Sequence, residues 1–104
     1  MYLCQLSQLV ATGAFGVNID DRHYLVIRDD QNQPKVYINA CPHLGIHLEM
    51  QPNIFLDKSE NFIICANHGA LFERSNGLCI SGPCQGQWLQ AVPCFIKNDC
   101  VWID

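Results

Sequence analysis

Two short segments near the middle of the chain, Cys41-Pro42-His43-Leu44-Gly45 and Cys65-Ala66-Asn67-His68-Gly69, hold the residues best suited to redox or metal chemistry. Each offers one thiolate and one imidazole, and each closes on a glycine. Zinc knuckles usually group two cysteines in one turn and two histidines in another. Mixed pairing in both turns suits a two-iron centre, with one iron taking both sulfurs and the other both nitrogens. Two ferric ions, two sulfides and two thiolates then sum to zero formal charge, whereas four thiolates would leave the oxidised centre doubly negative. Histidine ligation therefore eases reduction, moving the potential to about −150 to +300 mV from about −400 mV for all-cysteine plant-type centres.

The C-x-H-x-G and C-x-x-H-G pair resembles the Rieske [2Fe–2S] family, and Ser81-Gly82-Pro83 lies where that family places a proline-bearing loop over the cluster. The resemblance implies one [2Fe–2S] cluster per chain, bound by Cys41, His43, Cys65 and His68, with no catalytic residue. It also implies an all-β Rieske fold, an antiparallel β-sandwich base (about 1–40 and 86–104) with an inserted cluster-binding subdomain (about 41–85). One departure is the spacing: His43 and Cys65 are separated by residues 44–64, more than Rieske ferredoxins usually have. The surplus, Gln51 to Asn61, reads as a short strand and a polar turn that lengthen a hairpin without moving the four residues.

Other departures bear on the potential. Rieske proteins of respiratory complexes carry a disulfide between the two loops and hydroxyl donors to the cluster sulfurs. At the matching places this chain has Ile46 and Asn67, then Ala70 and Phe72, so it has neither the bridge nor the hydroxyls. The resemblance then implies a potential toward the low end of the range.

The elements that must position these loops read as β throughout. Tyr2-Leu3-Cys4-Gln5-Leu6, Gly16-Val17-Asn18-Ile19, Tyr24-Leu25-Val26-Ile27 and Lys35-Val36-Tyr37-Ile38 are strand-like, with polar turns between them. Phe62-Ile63-Ile64 leads into the second loop and Ala70-Leu71-Phe72-Glu73 leads out. Asn76-Gly77 marks a hairpin, and Leu89 to Ile103 holds two or three further strands. No segment shows a sustained helical period.

At 104 residues the chain has the size of one domain, and its net charge of −4, with no Lys/Arg cluster, argues against a nucleic-acid surface. It begins without a signal-peptide pattern and lacks a bilayer-length apolar run, so the expected location is cytoplasmic. Of the seven cysteines, Cys4, Cys94 and Cys100 read as small buried hydrophobes. Cys79 and Cys84 read as packed thiols near the cluster, the alternatives being a redox-sensitive pair or a site for adventitious metal. His23 and His47 read as solvated residues, Trp88 and Trp102 as core or cluster-shielding, and Asp57, Glu60 and Asp99 as turn carboxylates.

The resemblance implies a one-electron carrier, a small Rieske-type ferredoxin passing electrons from a flavin-containing NAD(P)H reductase to a terminal oxygenase or reductase. The oxygenase's mononuclear iron, held by two histidines and a carboxylate, has no ligand set here. Two alternatives stay open: a Rieske-type small subunit of a larger reductase such as nitrite reductase, and a zinc- or thiol-based regulatory module.

Overall fold

The computed structural model describes residues 1–104 apart from Leu44, and the side chains of all but 10–12 and 44. Leu44, the second variable position of the first motif, therefore lies outside the described residues. The chain runs through β1 (Tyr2–Gln5), α1 (Leu6–Thr12), β2 (Ala14–Ile19), β3 (Arg22–Arg28) and β4 (Pro34–Ile38) before the first motif. It continues through β5 (Phe62–Ile64), β6 (Leu71–Glu73), β7 (Cys79–Ser81), β8 (Ala91–Val92), β9 (Cys94–Lys97) and β10 (Cys100–Ile103). These strands form three antiparallel sheets, in the orders β1-β10-β9, β2-β3-β4-β8 and β5-β6-β7.

The second sheet is central because its inner strands are apolar on both faces. Successive side chains of a strand point to opposite sides, so the unbroken run Tyr24-Leu25-Val26-Ile27 divides between two cores. Tyr24 and Val26 pack with Leu3, Cys4, Leu9, Val101 and Ile103. Leu25 and Ile27 pack with Phe55, Ile63, Phe72 and both motif cysteines. β4 repeats the division, with Val36 on the first side and Tyr37 on the second. The central sheet thus shares one core with the N- and C-terminal strands and the other with the motif loops.

The Asn76-Gly77 hairpin forms, placing Phe72 opposite Cys79 and closing with the Gly77 N–H donated to the Glu73 carbonyl at 2.9 Å. The long inter-motif segment is also a hairpin. Ile64 N–H donates to the Phe55 carbonyl at 2.8 Å, and Asp57 N–H donates to the Phe62 carbonyl at 3.0 Å, around a turn capped by the Asp57 carboxylate. This extra length is tied to β2: Gly16 N–H donates to Asn53 Oδ1 at 2.8 Å, and a Cβ on Gly16 would stand 3.1 Å from the Phe55 ring.

One segment departs from the expected all-strand pattern. Leu6, read as the end of a strand, begins the helix α1. Two turns are too short to display a 3.6-residue period. The start also lacks the usual Ser or Thr signal, since Gln5 N–H donates to Gln8 Oε1 at 2.8 Å instead. Trp88, expected to be buried or shielding, is 56% exposed. Trp102 is half-buried, edge-on to Tyr2 with ring centroids 5.6 Å apart, its indole N–H donated to the Lys97 carbonyl.

Tyr37 ties the central sheet to the β6–β7 hairpin. Its ring is 1% exposed, and its hydroxyl donates to the Arg74 carbonyl at 2.7 Å. Burial, and secondarily the negative charge of Asp29, push its pKa from 10.0 up to about 12. The folded state therefore holds this proton more tightly than the unfolded chain does, and the resulting stabilisation is lost as pH rises from 10 toward 12. Tyr37→Phe should cost about 1 kcal/mol at neutral pH. It should also blunt the alkaline fall in stability across that window, as urea unfolding measured at several pH values will show.

Candidate metal centre

The first motif leaves the end of β4 after Asn39 and Ala40, and the second is the turn between β5 and β6. Their backbones close in the same way. Cys41 N–H donates to the Ile46 carbonyl at 2.7 Å, and Gly45 N–H donates to the Cys41 carbonyl at 2.6 Å. In the second loop Cys65 N–H donates to the Ala70 carbonyl at 2.9 Å, and Gly69 N–H donates to the Cys65 carbonyl at 2.8 Å. Both glycines have φ of +72°, the left-handed region that residues with a Cβ avoid, and no atom lies within 4 Å of where a Cβ would stand.

These twin turns bring the two cysteines into one core and the two histidines side by side. Cys41 and Cys65 are 1% and 0% exposed, within the core shared with Phe72, Leu48 and Ile63. His43 and His68 are exposed, with ring centroids 4.9 Å apart in an edge-on arrangement. Sulfur donors thus lie on the buried side and nitrogen donors on the solvent side. That separation fits a centre with one sulfur-ligated and one nitrogen-ligated iron, with open space at the two glycines for its bulk.

A polar clamp sets the two loops relative to each other. Asn39, 3% exposed, accepts the Leu48 N–H at Oδ1 and donates from Nδ2 to Glu49 Oε1, both at 2.8 Å. The Leu48 carbonyl in turn accepts the Ala66 N–H at 2.8 Å. One residue, Leu48, therefore joins the end of β4, the tail of the first loop and the second loop through its N–H and its carbonyl. Sequence reasoning missed Asn39; the available signal was a polar residue between an apolar strand and the cysteine of the first motif.

The Ser81-Gly82-Pro83 segment packs on the second loop so closely that a Cβ on Gly82 would stand 2.7 Å from Ala70 Cα. Behind it Cys84 and Cys79 are buried with their sulfurs 3.2 Å apart. Burial pushes the Cys84 thiol up to about 12, and hydrogen bonding to Cys79 and the nearby Cys41 adds to the rise. Cys4 is fully buried, but Cys94 and Cys100 are only partly so. His23 and His47, read separately as solvated, meet with ring centroids 4.3 Å apart, and His23 Nδ1 lies 2.7 Å from Asn18 Oδ1.

The chain belongs to the Rieske [2Fe–2S] domain family, whose model matches residues 1–96, and the family's cofactor is a [2Fe–2S] cluster. No curated protein matches significantly. Among solved structures, the ferredoxin of Sphingomonas yanoikuyae B1 is similar over 100% of this chain and 96% of its own, at 25% identity and a TM-score of 0.78. The ferredoxin of carbazole 1,9a-dioxygenase from Nocardioides aromaticivorans IC177 matches 99% of this chain and 94% of its own, at 19% identity and a TM-score of 0.76. A structure described as a complex of reduced oxygenase and oxidised ferredoxin in carbazole 1,9a-dioxygenase matches over 100% of both chains, at 23% identity and a TM-score of 0.77. No helix among the described residues is long and apolar enough to cross a membrane.

Asn39→Ala should leave the buried Leu48 N–H without its acceptor and cost about 1–3 kcal/mol. Amide exchange at Leu48 and Ala66 should quicken together, whereas amides of the β1–β10 pair should keep their protection.

Proposed function

We propose that this chain is a Rieske-type ferredoxin, a one-electron carrier in which Cys41 and Cys65 ligate one iron of a [2Fe–2S] cluster and His43 and His68 the other. The observation that most supports the reading is the burial of both cysteines beneath two exposed imidazoles 4.9 Å apart. When bound, the cluster supplies a centre that takes up and releases a single electron. The protein does the rest. Its core keeps water from the sulfur side, the twin turns hold the four donors, and the two histidine edges give the electron a short path to a docked partner. Four protein ligands and two bridging sulfides leave no vacant coordination position, so we assign transport rather than catalysis.

We assign the donor as a flavin-containing NAD(P)H reductase and the acceptor as a terminal oxygenase, in the cytoplasm. The similarity to a structure described as a complex of oxygenase and ferredoxin supports the acceptor. The surface around the second loop suits such docking. Met50 and Ile54 are 66% and 58% exposed, and with Ile64 and Ala66 they line a shallow apolar depression. The net charge of −4 favours a basic partner surface.

Replacing Cys41 or Cys65 by Ser should reduce iron from two per chain to near none and abolish the visible spectrum, because ligand binding and loop ordering are coupled. Full iron with an unchanged spectrum in either variant would exclude the assignment. The reduction potential should lie nearer about −150 mV than +300 mV, because Ala70 and Phe72 offer no hydroxyl to the cluster. The double variant Ala70→Ser, Phe72→Tyr should raise it. Protein-film voltammetry measures both, and a wild-type value well above zero would contradict supply from a nicotinamide-linked flavin reductase.

A further inference from the structure

Three thiols meet behind the proposed centre. Cys41, Cys79 and Cys84 are 1%, 1% and 2% exposed and belong to one packed core. Cys79 Sγ donates to the Ser81 carbonyl at 3.2 Å, so its own proton is committed and its sulfur is free to accept. Cys84 Sγ lies 3.2 Å from Cys79 Sγ as the donor of that contact. Cys41 packs in the same buried cluster, and its closeness adds to the rise in the Cys84 pKa. The Cys84 S–H proton therefore has two neighbouring sulfurs to which it can be donated.

The acceptors are unequal once Cys41 is an iron-bound thiolate. A hydrogen bond to an ionised acceptor is roughly twice as strong as one between neutral groups. Reduction adds a further negative charge to the cluster and its sulfurs, so the preference for Cys41 grows in the reduced state. The position of Cys84 is also fixed, since its loop is seated on Ala70 through Gly82.

We propose that Cys84 is a positioning residue for the cluster, donating its S–H to the Cys41 sulfur most strongly in the reduced protein, while Cys79 is the resting acceptor that competes for the same proton. The proposal rests on Cys41 being an iron ligand. It gives this chain a sulfur-borne donor, although Ala70 and Phe72 have no hydroxyl to serve as one. No covalent step is involved: the pair remains two thiols, and the only change is which sulfur receives the hydrogen bond.

The test uses the iron-loaded protein and reads midpoint potential, iron and sulfide content, and the electron paramagnetic resonance spectrum of the reduced state. Cys84→Ala should keep two irons per chain and lower the reduced-to-oxidised ratio at a fixed poise by about three- to tenfold; a tenfold fall corresponds to 59 mV for a one-electron couple. Cys84→Ser, which keeps a donor, should sit above the alanine variant. Cys79→Ala removes the competing acceptor and should leave the potential at or above wild type. A purely packing role would move the Cys79 and Cys84 alanine variants in the same direction, and that result would overturn the proposal. So would an unchanged potential in Cys84→Ala, or a native Cys79–Cys84 disulfide seen as a two-dalton deficit by intact mass. Should Cys84→Ala fail to load iron, Cys84→Val supplies the donor-free case at similar volume, with the same expected fall. Failure of the ligand assignment is separately visible: Cys41→Ser would keep its iron and spectrum whatever Cys84 does.

Discussion

The backbone of Leu48 is the point on which the arrangement of the site turns. Its N–H is held by Asn39 at the end of β4, and its carbonyl holds Ala66 in the second loop. Each loop alone is a local turn able to form without the other. Bringing two such turns to face each other needs a link across sequence, and here a fully buried residue makes it with both backbone groups. In a core of low dielectric an unpaired polar group is costly, so the clamp acts as a unit and strongly disfavours alternative spacings between the loops.

The central sheet provides the platform for that clamp. Because β3 and β4 are apolar on both faces, a slip of one residue would exchange the sets facing the two cores. Tyr24 and Tyr37 would change places with smaller aliphatic residues, and the Tyr37 hydroxyl would lose Arg74. The register of the sheet and the placement of the loops are therefore linked through packing as well as through the chain. The long inter-motif hairpin joins the same system, since Phe55 and Asn53 dock on β2 at Gly16.

Much of this was legible from residue types. The two Cys/His motifs, the strand runs and the Asn76-Gly77 hairpin carry local signals, and so does the hairpin character of residues 54–64. What was not legible depends on neighbours distant in sequence. α1 spans two turns and is stabilised by packing of Leu9 against the base, a contact no window of the chain displays. Asn39 looks like an ordinary turn residue until Leu48 and Glu49 come round to it. His23 and His47 meet only because the first loop folds back over β3. Trp88 was misread for a simpler reason: large aromatic residues are usually buried, but its place beside β7 turns it to solvent. Cys79 and Cys84 read as packed thiols from their loop, whereas the core they share with Cys41 forms only when distant segments meet.

The pairing of β1 with β10 has a consequence for the order of folding. Tyr2 lies opposite Trp102, so the strand pair that completes the first sheet closes a loop of nearly the whole chain. The entropy cost of closure grows with loop length, and contacts of high sequence separation form slowly. Around the candidate centre the separations are much shorter, between Asn39 and Leu48, Leu48 and Ala66, and Phe72 and Cys79. The chain is thus topologically divided, with a region of low contact order carrying the four cysteine and histidine positions and a slow long-range closure sealing the base. The motif loops can reach their native arrangement while the terminal strands are still open, so iron loading need not wait for the last β-pairing.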